Sequence, residues 1–132
     1  MRTTKQIGDI AEAKVLARLL QLGRVVLQPF GDNQRYDLVI DTGGTFQRVQ
    51  VKSARLREGA VLIPMTSMKG RYARERRGYY GEVELIAAYC EETDRVYMVP
   101  VEQAARVQVS LRVAPVKNGQ QKAIRWAVNY EL

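Results

Sequence analysis

The chain has 132 residues, 46% of them apolar and 27% charged, with 21 Lys and Arg against 14 Asp and Glu for a net charge of +7. That length accommodates one compact domain spanning residues 1–132, and no apolar run approaches the roughly 18 residues a membrane helix requires. The absence of histidine excludes Ser-His-Asp and Cys-His hydrolases, His-dependent nucleases and ordinary zinc sites, and the lone Cys90 cannot close an internal disulfide.

In chain order, Thr4 to Leu22 is predicted to be an amphipathic helix, capped by Thr3 or Thr4 and ended by Gly23. At 100° per residue, Ile7, Ala11, Val15, Leu16, Leu19, Leu20 and Leu22 form one broad apolar arc. Glu12 falls inside that arc. A carboxylate there is costly unless a cation or hydrogen-bond donors meet it, so Glu12 is either half of an ion pair or part of a site. Val25 to Leu27 reads as a short strand, and Gln28 to Asn33 as a turn-rich connection. Tyr36 to Ile40 and Phe46 to Ser53 read as two strands of a hairpin, turning at Gly43-Gly44. Val61 to Met65 extends the sheet. Val83 to Tyr89 and Val96 to Val99 follow as apolar runs around the acidic turn Glu91 to Asp94. Val101 to Ala105 is expected as a short helix and Val107 to Val113 as a late strand, while Ala114 to Leu132 has no clear period. The pattern is α/β or α+β with a mixed sheet.

The charge excess has one dense spot. Lys69 to Tyr80 carries five positive charges and one negative in twelve residues, interleaved with Tyr72, Tyr79 and Tyr80. Such a segment suits a phosphate backbone and exposed bases, or it is a solvated loop. Lys69, Arg71, Tyr72, Arg74, Arg76 and Arg77 are the candidate DNA-contacting residues.

If Gly43-Gly44 make a two-residue turn, Thr42 faces Thr45 and Asp37 lies opposite Gln50. Lys52, two residues further, shares that face by the strand's period of two. A carboxylate, an amide oxygen and an ammonium then stand together. Hard divalent cations such as Mg²⁺ take oxygen ligands and bridge to phosphate, and a lysine beside them stabilises charge developing there. Glu12 would add a further oxygen. An inert cross-strand Asp37–Lys52 ion pair, contributing about 0.2–1 kcal/mol, is the alternative.

Asp37 and Gln50-Val51-Lys52, preceded by Gly8-Asp9-Ile10-Ala11-Glu12, resemble the PD-(D/E)XK nuclease superfamily. More narrowly the chain is similar to the family of the cyanobacterial group I intron-encoded homing endonuclease. Further matching stretches are Pro29 to Asp32, Tyr36 to Val39, Val49 to Ser53, Ala88-Tyr89, Tyr97 to Val101, Lys117 to Gln120 and Ile124 to Ala127. The resemblance implies a mixed sheet flanked by helices and a Mg²⁺-dependent endonuclease of double-stranded DNA, with Mn²⁺ as a substitute ion. By position it makes Asp37 the central metal ligand, Glu12 the helix carboxylate and Lys52 the motif lysine. Gln50 stands where most of the superfamily has Glu or Asp, as in the homing branch, so the site carries one negative charge fewer. Cutting both strands calls for a homo-oligomer, a dimer or tetramer. A cytoplasmic location is expected, at the nucleoid in a bacterium or archaeon, without a membrane. The rival readings are a catalytically silent DNA-binding module that keeps the nuclease fold, and a nuclease of junctions or repair intermediates that recognises DNA shape.

Overall fold

In the computed structural model, residues 1–31, 33–65, 79–104, 107–116 and 123–132 are described. Helix α1 spans Thr4–Gln21. Its start is a reciprocal cap: the Gln6 N–H donates to Thr3 Oγ1 at 3.1 Å, and the Thr3 N–H donates to Gln6 Oε1 at 2.8 Å. Its end is set by Gly23, whose φ of 78° lies in the left-handed region that favours glycine. The buried stripe is narrower than the expected arc. Ala11, Val15 and Leu19 are buried, whereas Ile7, Leu20 and Leu22 remain exposed, because the sheet under α1 contacts only one line of the helix.

Strands β1 (Val25–Leu27), β2 (Leu38–Thr42), β3 (Thr45–Arg57), β4 (Ala60–Pro64), β5 (Leu85–Cys90), β6 (Arg95–Pro100) and β7 (Gln108–Arg112) form one mixed sheet. The order is β1-β2-β3-β4-β7, with β5 pairing parallel to β3 and β6 antiparallel to β5. One α-helix and seven strands make an α+β fold among the described residues. The β2–β3 hairpin keeps the expected register, Thr42 opposite Thr45 and Leu38 opposite Val49. Gly43 and Gly44 hold φ of 60° and 92°, as a mirror-image two-residue turn demands.

Strand β3 organises the molecule. Its first residues pair with β2, Val49 to Ala54 pair with β5, and Arg55 to Arg57 pair with β4. Between the end of β2 and the start of β4, Gln50 to Ala54 have β5 as their only ladder partner among the described residues. Two cores lie on opposite faces. Ala11, Val15 and Leu19 pack on Leu38, Ile40, Val49 and Ala87. On the other face Val61, Ile63, Val109 and Leu111 pack with Ile86, Ala88, Tyr97 and Val99.

Three expectations are corrected. Tyr36 and Asp37 precede β2, which begins at Leu38. β3 continues past Ser53 to Arg57, since its C-terminal end gains a second antiparallel partner in β4. After Pro100 the described residues form a 3-10 turn, Val101–Gln103, in place of the start of an α-helix. A second 3-10 turn, Ala127–Asn129, lies in the tail, where Trp126 bridges to Arg112 and Glu131 to Tyr97. No helix among the described residues is long and apolar enough to cross a membrane.

Candidate active site

Asp37 sits where the β2–β3 ladder ends. Its N–H donates to the Val49 carbonyl at 2.8 Å, and its Oδ2 accepts the Val51 N–H at 2.8 Å. The side chain thus stands in for a backbone carbonyl that β2 does not supply. Asp37 and Gln50 lie just past the last ladder pair, Leu38 and Val49, and the Asp37 carboxylate reaches along the edge of β3 that β2 leaves. The bond fixes one oxygen and leaves Oδ1 without a hydrogen bond among the described residues. Burial pushes the Asp37 carboxyl above its ordinary pKa, against the Val51 N–H and the Lys52 charge, which pull it down.

Glu12, on α1, faces Asp37 across a cavity of about 280 Å³ that both residues line with Gln28, Pro29, Gly31, Gln34 and Tyr36. The Glu12 carboxyl is also held above its usual value, first by burial, then by the negative charges of Asp37 and Asp9, with Lys5 opposing. No salt bridge satisfies Glu12 among the described residues. The ion-paired reading of Glu12 thus has no partner among the described residues.

Gln50 and Lys52 come from β3, two residues apart, on the face that looks away from α1, since the intervening Val51 packs in the α1 core. Neither lines the Glu12–Asp37 cavity. Gln50 Nε2 donates to the Val51 carbonyl at 3.1 Å, which orients the amide and leaves Oε1 as its acceptor. Lys52 Nζ donates to the Tyr79 hydroxyl at 2.8 Å and lies 4.7 Å from the centre of that ring. Asp37 is the shared member of the group, electrostatically coupled to Glu12 on one side and to Lys52 on the other.

The oxygen donors available are the Glu12 and Asp37 carboxylates and the Gln50 amide. Among the described residues no three Asp, Glu, Cys or His side chains converge as a metal cluster. Glu12 and Asp37 line one cavity and offer carboxylate oxygens, the donor type that hard divalent cations take. The residues present therefore fit such an ion.

Tyr79 and Tyr80 close the basic, tyrosine-rich segment, yet Tyr79 is 4% exposed, whereas Tyr80 is 79% exposed. Arg35 Cζ lies 4.2 Å from the Tyr79 ring centre, and Arg35 Nε pairs with Glu82 at 2.5 Å. Nothing local separates Tyr79 from Tyr80; only packing against Val83 and the β4–β7 core does. The candidate DNA-contacting residues Lys69, Arg71, Tyr72, Arg74, Arg76 and Arg77 lie outside the described residues.

No curated protein matches the chain at a significant level. Among solved structures, a bacterial homing endonuclease, I-Ssp6803I, superposes with a TM-score of 0.71 at 29% sequence identity, covering 99% of this chain and 88% of that one. The family model described as PD-(D/E)XK endonuclease matches residues 2–132. With the helix, the hairpin and the diverging strands placed as above, the chain belongs to the PD-(D/E)XK endonuclease family.

Proposed function

We propose that this protein is a Mg²⁺-dependent endonuclease that hydrolyses phosphodiester bonds of duplex DNA, leaving a 5′-phosphate and a 3′-hydroxyl, with Mn²⁺ able to replace Mg²⁺. The observation that carries the proposal is the placement of Asp37. One of its oxygens is pinned by Val51 at the point where β2 leaves β3, with Glu12 across the cavity and Lys52 within its field. In this reading Asp37 and Glu12, which line one cavity, hold the ion, and the Gln50 amide turns from the Val51 carbonyl to add its oxygen. When bound, a divalent cation would lower the pKa of water and neutralise charge on phosphate oxygens.

The chain's own groups do the rest. Asp37 is pre-oriented by its Val51 bond, so little rotamer freedom is lost on ligation. Lys52 presents an ammonium near the phosphate, where fixed positive charge stabilises the excess negative charge of the pentavalent transition state. Gln50 contributes an oxygen without a charge, which makes the ion's hold weaker than an acidic residue would.

Duplex DNA as substrate is supported by the family, by the likeness to a homing endonuclease, and by the net charge of +7. The Lys69–Arg77 arginines and Lys69 itself are proposed to bind its phosphates or guanine edges, with Tyr72 packing on sugar or base. A homo-oligomer is proposed because two strands need two sites. Exposed Val25, Leu27 and Phe46, on the face of β1–β3 away from α1, supply apolar area for association.

Plasmid DNA incubated with the protein and Mg²⁺ should be nicked and linearised, with EDTA or Asp37→Ala stopping the reaction while DNA binding persists. Binding without metal-dependent cleavage by the parent would identify a silent DNA-binding module instead. Preference for branched over linear duplex would identify a shape-reading nuclease.

A further inference from the structure

We propose that Tyr79 is the positioning residue for Lys52, holding its ammonium in the place from which it serves the phosphate. This rests on the endonuclease reading above. A lysine is a point charge on a flexible four-carbon stem, so its value in a site depends on something that fixes it. Here the Tyr79 hydroxyl accepts a hydrogen bond from Lys52 Nζ at 2.8 Å, and the ring face lies 4.7 Å away. An ammonium has three N–H donors; one directed at Tyr79 leaves the others for substrate oxygens.

The anchor is itself immobile. Tyr79 is 4% exposed and packed in the core with Val83. Its carbonyl accepts the Val83 N–H at 3.1 Å and the Glu82 N–H at 2.9 Å, which closes a turn from Tyr79 to Val83. Arg35, two residues before Asp37, stacks at 4.2 Å and pairs with Glu82. The segment leading into β2 and the turn before β5 are thereby tied to the same tyrosine that holds Lys52. A displacement of about 1 Å at a reacting group is enough to cost on the order of a hundredfold in rate.

The test is Tyr79→Phe, alone and combined with Lys52→Ala, in single-turnover cleavage with saturating protein and Mg²⁺. DNA affinity is measured separately in EDTA. Removing only the hydroxyl should lower the single-turnover rate about tenfold to a hundredfold, with affinity within twofold of the parent and little change in melting temperature. In the Lys52→Ala background the same change should have no further effect. In the metal-free protein, the ¹H–¹⁵N signal of the Lys52 ammonium, assigned by its loss in Lys52→Ala, should shift in Tyr79→Phe, which a purely structural tyrosine would not cause. A Tyr79→Phe protein that cleaves at the parental rate, or an additive loss in the double variant, overturns the inference. If Lys52→Ala itself cleaves normally, the endonuclease assignment of Lys52 fails, and the positioning role with it. An unmoved ammonium signal would overturn the Tyr79–Lys52 contact independently of cleavage.

Discussion

Asp37→Asn separates the charge of this side chain from its hydrogen bond. The amide carbonyl can still accept the Val51 N–H that Oδ2 now holds at 2.8 Å, while the buried negative charge disappears. Burial raises the Asp37 carboxyl above its unfolded value, so the folded state binds the proton more tightly than the unfolded chain does. Ionisation therefore costs stability. The cost is absent well below the unfolded pKa, where both states are protonated. It grows as pH rises from that value, and it is complete above the folded pKa. At pH 7 the asparagine variant should gain about 0.5–2 kcal/mol, the size of a typical single stabilising substitution. A gain of about 1 kcal/mol corresponds to roughly 3–5 °C in melting temperature for a chain of this size. Asp37→Ala should do the opposite. It leaves the Val51 N–H without its acceptor, at a cost of about 1–3 kcal/mol, so the alanine is not structurally silent. Both variants should lose metal-dependent cleavage. Urea unfolding between pH 4 and 8, alongside plasmid cleavage, measures both effects. An asparagine variant less stable than the parent at pH 7, or one whose gain is larger at pH 4 than at pH 8, would refute the account of Asp37.

Glu12→Gln should reduce cleavage strongly while leaving the melting temperature at pH 7 unchanged or slightly higher, because burial and Asp37 already disfavour the Glu12 charge. A lower melting temperature with normal cleavage would restore the ion-pair reading. Gln50→Glu adds one negative charge, so Mg²⁺ should stabilise that variant at lower concentration than it stabilises the parent; at a hundredfold excess over the dissociation constant, binding contributes about 2.7 kcal/mol in either. Equal Mg²⁺ dependence in thermal melts would show that residue 50 does not meet the ion. Single Arg→Ala changes at Arg71, Arg74, Arg76 and Arg77 separate two roles. A lost phosphate contact weakens all duplexes and lowers the salt slope by about one, whereas a lost guanine contact costs about 1–3 kcal/mol at one base pair. Four variants that bind cognate and random duplexes like the parent would move the DNA path elsewhere.

Much of the fold was legible because it is written in short-range chemistry. Thr3 and Gln6 cap α1 wherever that helix docks, and Gly43-Gly44 impose their register on β2 and β3 through positive φ alone. The strand's period of two puts Gln50 and Lys52 on one face of β3, and the Lys52 charge acts on Asp37 from there. Packing decided what spacing could not. The β2–β3 ladder stops at Leu38 and Val49, and beyond it the Asp37 carboxylate, in place of a β2 carbonyl, accepts the Val51 N–H. The helix stripe is three residues wide, not seven, because burial is a property of the surface opposite and not of the helix. Tyr79 and Tyr80 are identical neighbours at the end of a basic run, yet one is core and the other exposed. Sequence periodicity is blind to that choice: which tyrosine meets Lys52 is settled by strands 27 residues away along the chain, whose contacts exist only once the sheet has closed.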